Sequence, residues 1–393
     1  MNYNKKTIMD VDVAGKKILL RCDFNVPQDK ATGAITSDKR IVAALPTIRL
    51  ALEKGAGVVL LSHLGRPTEG QFEEQFSLKP VAARLAELLE RPVRLAPTFA
   101  EATAAPGEVT LLENVRFLKG EKKNDAALAA RLAGLGQVYV MDAFGAAHRA
   151  HASTEGAVRA AQTACAGPLL QAELEAFGKV LDNPARPLVA IIGGSKVSSK
   201  LGLLENLLNT VDVLMVGGGI ANTFLAAAGY MVGKSLCEED LVPEAKKIME
   251  QAKTLNKELP LPVDVVTAEE LAPGRQTGVH AVGDVPPDQM ILDIGPETVS
   301  AYEKLLAKAA TVVWNGPVGA FETDPFGQGT KALANFLAGG KAFVVVGGGD
   351  SVAAVEKYGL ADKMGYISTG GGASLELLEG KTLPAVAALE AVS

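Results

Sequence analysis

Residues 188–200 read LVAIIGGSKVSSK, and this stretch shows the plan on which much of the chain is built. Five apolar residues without polar alternation predict a strand that is buried on both faces, as in a parallel sheet. The strand stops at Gly193 and Gly194, and a helix is expected to begin among the serines that follow. Lys196 and Lys200 would then share one face of that helix. This combination favours a phosphate-binding loop over a solvated helix face with a serine cap.

Apolar strands and helical stretches alternate along the chain. Strands are predicted at residues 17–22, 57–62, 109–112, 137–141, 188–192, 212–216, 263–267, 289–293, 311–314 and 342–346. Helical patterns lie between them, for example at 79–90 and 198–209. This alternation implies parallel sheets with right-handed crossovers. The predicted fold class is therefore α/β, with two doubly wound, Rossmann-like parallel-sheet domains.

The boundary between the two domains is predicted near residue 185. Residues 168–182 form a helical pattern that begins with Pro168 and ends before Asn183-Pro-Ala-Arg-Pro187, a helix stop followed by a loop. We therefore assign 1–167 to the first domain, 168–186 to an interdomain helix and linker, and 187–372 to the second domain.

Charge and glycine are distributed unequally between the two halves. Residues 1–185 carry a net charge of +2 and eleven of the 13 arginines, whereas residues 186–393 carry −8 and 27 of the 41 glycines. Arginine offers a rigid fork for carboxylate and phosphate, and glycine-rich turns let backbone N–H groups approach phosphate. One half is therefore arginine-rich and the other glycine-rich. Ordinary drift in composition explains the same counts, so the positions of these residues must decide between the two interpretations.

Composition also excludes several classes of protein. The total charge of −6 argues against nucleic acid as a partner. No apolar run approaches the roughly 20 residues that span a bilayer, and the N-terminal MNYNKKTIMD lacks the apolar stretch of a signal peptide. Three widely separated cysteines indicate neither a disulfide framework nor a zinc cage. A cytoplasmic protein without a membrane partner is expected.

Ligands of doubly wound sheets bind beyond the carboxyl ends of the strands, and polar residues collect there in the first half. Five arginines stand at or near strand ends or in loops: Arg21, Arg40, Arg66, Arg116 and Arg149. Any one of them suits a surface salt bridge, but five in these places indicate a small polyanion site. The histidines lack HExxH spacing, so hydrogen bonds to substrate oxygens suit them better than a metal.

Glycine loops follow the strands of the second half. Gly347-Gly-Gly-Asp350 precedes a predicted helix, where Asp350 either caps the helix or holds Mg²⁺. Gly217–Gly219 is either a packing turn or an approach for adenine, and Gly370–Gly372 is either a third phosphate loop or a hinge. Glu322 could accept hydrogen bonds from ribose. Neither a GxGxxG fingerprint nor a Walker-type P-loop is present, which argues against a standard dinucleotide-binding enzyme and a standard P-loop enzyme.

These strings together resemble the phosphoglycerate kinase family. The resemblance spans nearly the whole chain in the order RCDFNVP (21–27), SHLGRP (62–67), ENVRF (113–117), DAFG (142–145), HRAH (148–151), GGSKV (193–197), WNGPV (314–318), GGGD (347–350) and STGGG (368–372). It implies reversible phosphoryl transfer from 1,3-bisphosphoglycerate to ADP, giving 3-phosphoglycerate and ATP, directly and in line after hinge closure. It further implies Mg²⁺ as cofactor, ADP/ATP as co-substrate and a monomer.

The resemblance also assigns residues, position by position. It implies 3-phosphoglycerate binding by Asp23, Phe24, Asn25, Arg40, His63, Leu64, Gly65, Arg66, Arg116 and Arg149. It implies catalytic parts for Arg21, Lys196, Gly371 and Gly372. Nucleotide binding falls to Lys200, Gly217, Asn315, Glu322, Gly347, Gly348, Gly349, Asp350 and Ser351, with Asp350 also the metal ligand. Residues 373–393 are expected to return to the first domain, which would bind 3-phosphoglycerate.

Three departures from the family pattern, Cys22, Ala146 and Ser351, leave the expected activity in place. Two other interpretations stay open at this point. One is a different nucleotide-dependent enzyme on a doubly wound scaffold, such as a dehydrogenase or ligase. The other is a non-catalytic binding protein with a hinged cleft, against which the intact Lys196, Lys200 and Asp350 argue.

Overall fold

The computed structural model describes residues 4–392. The described chain divides into two compact units, one reaching to Glu175 and resuming at Thr382, the other running from Ala176 to Lys381. Residues 1–3 and 393, at the ends of the first predicted domain, lie outside the described residues. In the part that the structure describes, no helix combines the length and the apolar character needed to cross a membrane.

Fourteen strands form in the part of the chain that the structure describes. In chain order they are β1 Lys17–Arg21, β2 Gly57–Leu61, β3 Val93–Ala96, β4 Val109–Leu112, β5 Val138–Met141, β6 Ala164–Ala166, β7 Leu188–Ile192, β8 Val213–Val216, β9 Asp264–Ala268, β10 Gly278–Ala281, β11 Met290–Ile294, β12 Thr311–Asn315, β13 Phe343–Gly347 and β14 Tyr366–Ile367. The ten predicted strands all form, to within one residue at each end.

The helices lie mainly between these strands. They are α1 Lys39–Glu53, α2 Lys79–Leu89, α3 Ala126–Ala133, α4 Ala157–Ala160, α5 Pro168–Leu181, α6 Leu201–Thr210, α7 Gly218–Ala227, α8 Val242–Thr254, α9 Pro296–Leu306, α10 Gln328–Gly339, α11 Gly349–Lys357, α12 Gly371–Leu378 and α13 Pro384–Val392. The predicted helix at 168–182 is therefore α5, and it contains the boundary between the two units.

The first unit is built on a parallel sheet of six strands in the order β3-β4-β2-β1-β5-β6. Residues of β1, such as Ile18 and Leu20, pack with Ile48 of α1 and Leu85 of α2 in one apolar core. Such burial on both faces explains why the strands are continuous apolar runs. Because β1 lies inside the sheet, its carboxyl end at Arg21 is surrounded by the loops that follow its neighbours.

The second unit contains a parallel sheet in the order β14-β13-β12-β7-β8 and a separate sheet in the order β10-β9-β11. The smaller sheet is antiparallel, since β9 pairs in that sense with both β10 and β11. The sequence pattern predicts only parallel pairing for the strands at 263–267 and 289–293, and that detail is wrong. The parallel doubly wound plan holds for both principal sheets.

The point at which the chain leaves the second unit differs from the boundary predicted at residue 372. Helix α12 packs against α6, and the Asn206 side chain donates to the Leu378 carbonyl at 2.7 Å. Helix α13 instead packs against α4, and the Ala385 N–H donates to the Ala147 carbonyl at 3.1 Å. Residues 373–381 therefore belong to the second unit, and the return to the first unit begins at Thr382.

Four buried carboxylates that lie in strands or directly after them accept backbone N–H groups at the N-termini of helices. Each accepts a backbone N–H from the first turn of a helix, or from the residue before it, and satisfies a donor that the helix leaves open. The pairs are Glu113 with Leu78 at α2, Asp142 with Leu170 at α5, Asp264 with Thr298 at α9, and Asp293 with Gly329 at α10. Part of the polarity near the strands is thus structural, because these carboxylates satisfy the N-termini of helices.

Candidate active site

In the first unit, the side chain of Arg21 extends from the carboxyl end of β1 and is 1% exposed. Its Nε donates to the Ser153 hydroxyl at 3.1 Å, and its NH1 donates to the Cys22 carbonyl. Its NH2 lies 3.1 Å from Nδ1 of His63. The guanidinium is thus held on three sides, which fixes its direction before any ligand arrives.

His63 is neutral in this setting. Burial lowers its pKa well below the usual range, and the charges of Arg21, Arg116 and Arg149 act in the same direction. Because Arg21 can only donate, His63 Nδ1 must accept, and the ring proton lies on Nε2. The imidazole can therefore donate a hydrogen bond to an anionic ligand without adding charge.

Arg40 is held by the loop that follows β1. Its NH1 lies 3.1 Å from both carboxylate oxygens of Asp23 and 3.1 Å from the Asn25 carbonyl. The Asn25 side-chain oxygen accepts the Gly65 N–H at 2.8 Å, which ties this loop to the loop after β2. Gly65 has φ +61°, and the Phe76 ring occupies the place of a side chain, so glycine is required there.

Further arginines crowd the same region. Burial lowers the pKa of Arg116 to about 10, and the charges of Arg149 and Arg21 add to the effect. Burial also lowers the Arg149 pKa, with Asp23 opposing and Arg66 reinforcing the shift. Arg116 is 5% exposed, and its Nε is buried without a hydrogen-bond partner. Such mutual destabilisation of cations indicates a site shaped for an anion with more than one charge.

Not every sequence-predicted residue faces this cluster. Phe24 and Leu64 are buried in the apolar core of the first unit, so their side chains support the loops that carry Asn25 and His63. Cys22 lies in the same core, in agreement with a packing role. Arg66 is exposed beside the cluster.

Glu121 is a buried member of this site that motif reasoning missed. Its carboxylate accepts hydrogen bonds from the backbone N–H and the hydroxyl of Ser153. The same hydroxyl accepts a hydrogen bond from Arg21 Nε. Burial raises the pKa of Glu121, while the charges of Arg21 and Arg116 lower it. The series of hydrogen bonds from Glu121 through Ser153 therefore fixes the position of the Arg21 guanidinium.

In the second unit, three loops at the carboxyl ends of β7, β8 and β12 pack backbone against backbone. Gly193 N–H donates to the Asn315 carbonyl at 3.0 Å, and Gly218 N–H donates to the Val318 carbonyl at 2.9 Å. The Val318 side chain occupies the place where a Gly217 Cβ would stand. These glycines permit close packing, and of the two interpretations of 217–219 the packing turn applies to Gly217.

Lys200 lies just before α6, and its ammonium is directed into this packed region. It donates to the Gly193 carbonyl at 2.7 Å and to the Asn315 carbonyl at 3.0 Å. Burial lowers the pKa of Lys200 to about 8, although Asp350 opposes the shift. Because α6 begins only at Leu201, the predicted common helix face for Lys196 and Lys200 is wrong. Lys196 is exposed.

Two helix N-termini meet beside these loops. Gly348, with φ +89°, precedes the first residue of α11, and a side chain on Gly371 at the start of α12 would stand 3.6 Å from the Gly349 nitrogen. The first-turn N–H groups of both helices lack intrahelical acceptors and carry partial positive charge. Asp350 lies inside the first turn of α11, not at the cap position. This arrangement is suited to phosphate.

Two side chains at this place are buried beneath the loops. Ser351 is fully buried, and its hydroxyl accepts the Gly316 N–H, so it holds the turn after β12. Asn315 has a buried side-chain nitrogen without a hydrogen-bond partner, close to where a Gly348 side chain would stand. An unpaired donor at a helix N-terminus is a further feature that suits an anionic ligand.

A pocket of about 440 Å³ opens beside these loops within the second unit. Glu322 and Asp350 are among its polar lining residues, and both are exposed. Its apolar wall includes Leu236, Pro262, Val265, Leu271, Met290 and Leu292. An apolar wall with carboxylates and glycine backbone nearby matches a flat base, a ribose and phosphates.

The chain matches the family model described as phosphoglycerate kinase over residues 8–381. The chain belongs to the phosphoglycerate kinase family. A curated phosphoglycerate kinase from Desulfovibrio desulfuricans is 78% identical over 383 residues, covering 98% of each protein. The structure of phosphoglycerate kinase from Coxiella burnetii is 51% identical with a TM-score of 0.95, and it covers 99% of both chains. That of Pyrococcus horikoshii OT3 is 31% identical, with a TM-score of 0.84 over 98% of this chain and 99% of the other.

As a member of the phosphoglycerate kinase family, the protein transfers a phosphoryl group reversibly from 1,3-bisphosphoglycerate to ADP, giving 3-phosphoglycerate and ATP. It is a phosphotransferase whose acceptor is a carboxyl group. Small-molecule substrates and ADP/ATP as co-substrate follow from the family. The alternatives of a dehydrogenase, a ligase and a binding protein are not favoured.

Proposed function

We propose that the arginine cluster of the first unit binds 3-phosphoglycerate and its 1,3-bisphosphate. The concentration of guanidinium groups around the neutral His63 carries this proposal. Arg116 and Arg149 both have a lowered pKa in the free protein, so a dianionic phosphate would relieve their repulsion. Asp23 and Asn25 hold Arg40 and the loop around it, and His63 donates from Nε2.

The pocket of the second unit is proposed as the ADP/ATP site. The apolar wall would receive the base, and Glu322 would accept from the ribose hydroxyls. Phosphates would lie at the joint N-termini of α11 and α12, near Gly348, Gly349, Gly371 and Gly372. Lys200 would add a positive charge, while Gly217, Gly347 and Ser351 act through packing of the loops. The Asn315 side-chain nitrogen would gain its missing acceptor.

Mg²⁺ is proposed to accompany the nucleotide. Among the described residues, no group of three or more His, Cys, Asp or Glu side chains could hold a metal by itself. A single carboxylate, Asp350, fits a cation that is held mostly by phosphate oxygens and water. When bound, Mg²⁺ would neutralise phosphate charge. We also propose that the enzyme is a cytoplasmic monomer, on the strength of the family resemblance.

The reaction proposed for these groups needs no general base. In the ATP-forming direction, an ionised phosphate oxygen of ADP forms a bond to phosphorus as the bond to the acyl oxygen breaks. The leaving group is a stable carboxylate. Positioning and charge neutralisation then suffice. Arg21 would face the carboxyl end of the substrate, and Lys196 would follow the phosphoryl group in transfer.

Arg149→Ala tests the substrate assignment. The loss of one charged donor is expected to raise the Kd for 3-phosphoglycerate about 10- to 100-fold. Calorimetry should find the Kd for ADP unchanged within about twofold, because the nucleotide residues lie in the other unit. Arg159→Ala is the matched control, since that arginine pairs with Glu155 on the surface. A loss of ADP affinity with intact 3-phosphoglycerate affinity would reverse the assignment of the two units.

A second test uses the pH dependence of nucleotide binding. The Lys200 pKa of about 8 means that its ammonium loses the proton as pH rises through that value in the free protein. Phosphates favour the charged form, so ADP binding should take up a proton above pH 8, and affinity should fall up to about tenfold per pH unit. As pH falls below 8 the group becomes mostly charged before ADP binds, and the proton uptake should become much smaller.

Calorimetry in two buffers of different ionisation enthalpy measures this uptake at about pH 7.5 and about pH 9. Lys200→Arg is the control, because arginine stays charged at both pH values and should take up no proton. Equal proton uptake by the wild-type protein at both pH values would remove Lys200 from the phosphate site.

A further inference from the structure

The turn that carries Lys196 is held from outside by one carboxylate, that of Glu238. The Glu238 side chain accepts the Ser198 backbone N–H at 2.9 Å and the Ser198 hydroxyl at 2.5 Å. The Val197 backbone N–H is a further donor to the same carboxylate. We propose that Glu238 is a positioning residue that fixes the turn next to Lys196, and the proposal rests on the role of Lys196 given above.

Two further hydrogen bonds lie within the turn itself. The Lys196 carbonyl accepts the Ser199 hydroxyl at 2.8 Å, and the Lys200 N–H donates to the Val197 carbonyl at 2.8 Å. Both bonds close the turn on itself, so they set its shape and not its place in the unit. The bonds to Glu238 join the turn to a different segment, 40 residues along the chain. Glu238 therefore contributes to fixing where the Lys196 backbone lies in the unit.

Glu238 is itself anchored. Its backbone N–H donates to the Thr223 hydroxyl at 3.2 Å, and that hydroxyl donates to the Gly219 carbonyl at 3.2 Å in the first turn of α7. At Gly219, a side chain would collide with the Ser195 carbonyl, so the same helix also packs directly against the start of the Lys196 turn. Two contacts thus hold the turn against α7, one through direct backbone packing at Gly219 and one through Glu238.

Charge is the alternative way in which Glu238 could act. Burial raises the pKa of Glu238, but the hydrogen bonds from Ser198 and Val197 lower it, and the net pKa is below the usual value. Attraction to the Lys196 ammonium contributes least to the lowering. The hydrogen bonds therefore outweigh the ion–ion attraction. Positioning predicts that an uncharged side chain of the same shape can replace Glu238.

Three variants separate these possibilities by steady-state kinetics. Glu238→Ala loses every bond to the turn, and kcat should fall at least about tenfold while the KM for 3-phosphoglycerate stays within twofold. Glu238→Gln keeps an acceptor for the Ser198 N–H and offers a donor to the hydroxyl, so kcat should stay within about threefold of wild type. Glu238→Asp keeps the charge but is one methylene too short, and should resemble alanine.

Glu239→Ala, at an exposed neighbouring carboxylate, is the matched control and should leave both kcat and the KM for 3-phosphoglycerate unchanged. The proposal is overturned if Glu238→Ala keeps kcat within twofold of wild type, or if Glu238→Gln is as slow as Glu238→Ala. Should the alanine variant fail to fold, the Gln and Asp variants carry the comparison alone, and an Asp variant as fast as wild type contradicts the proposal.

A double variant distinguishes failure of this proposal from failure of the proposed function. If Glu238 acts through Lys196, then Glu238→Ala should lower kcat by less than twofold in a Lys196→Ala background. An undiminished additional loss in that background would show that Glu238 acts elsewhere. Normal turnover of Lys196→Ala alone would instead refute the role of Lys196, whatever the Glu238 variants do.

Discussion

Lys196→Ala is expected to lower kcat by about 10²- to 10³-fold, the cost of removing one donor that stabilises charge in a transition state. Lys196 is exposed beyond the carboxyl end of β7, so its side chain is not part of the buried core. Its loss should therefore leave the free energy of unfolding and the Kd for 3-phosphoglycerate nearly unchanged. A defect in kcat with intact substrate binding would identify an interaction made mainly in the transition state.

A coupled assay with ATP, Mg²⁺ and 3-phosphoglycerate measures this effect, with each component omitted in turn. Lys246→Ala, at an exposed position on α8, is the control for the loss of one positive charge in the second unit. Near-normal turnover of Lys196→Ala would exclude the lysine from the mechanism. A rise in the Kd for 3-phosphoglycerate equal to the fall in kcat/KM would place it in ground-state binding.

Arg21→Met is expected to damage both activity and stability. The variant keeps the apolar stem but leaves the Cys22 carbonyl and the Ser153 hydroxyl short of a donor. It also removes one of the two positive charges, those of Arg21 and Arg116, that lower the pKa of the buried Glu121. The free energy of unfolding should fall by about 3 kcal/mol. Because the guanidinium would face the carboxyl end of the substrate, kcat/KM should also fall by at least about 10²-fold.

The double variant Arg21→Met, Glu121→Gln separates the two effects. Removing the uncompensated carboxylate should restore part of the lost stability in urea denaturation but none of the lost kcat/KM. Glu121→Gln alone is the control for the amide. Recovery of activity together with stability would mean that Arg21 acts only as a structural partner of Glu121 and not on the substrate.

Local sequence predicts which motifs lie at the ends of strands. Continuous apolar runs mark strands buried on both faces, and the residue after such a run must stand at the ligand-binding edge of a parallel sheet. Arg21, Gly193 and Gly348 were found in this way. The four unpredicted strands, β3, β6, β10 and β14, lie at sheet edges, and three of them are only partly buried, so their apolar signal is weak.

The supporting residues could not be found by the same reasoning. Glu121 lies 32 residues from Ser153, and Glu238 lies 40 residues from Ser198, in each case with no shared periodicity. Lys200 has the same appearance in sequence as Lys196, yet one ammonium is buried among backbone carbonyls and the other is exposed. Such differences arise from loops that meet only after the sheets have formed.

Sequence alone was sufficient to predict two parallel doubly wound sheets, and it shows an arginine-rich first half and a glycine-rich second half. These features follow from burial periodicity, glycine and charge, which act within a few residues of each other. The tertiary structure decided that Gly193 and Gly218 serve loop packing, that Asp142 and Asp293 cap helices, and that the chain returns to the first unit only at Thr382. The reason is that a hydrogen bond between distant segments depends on where both backbones lie, and no local pattern carries that information.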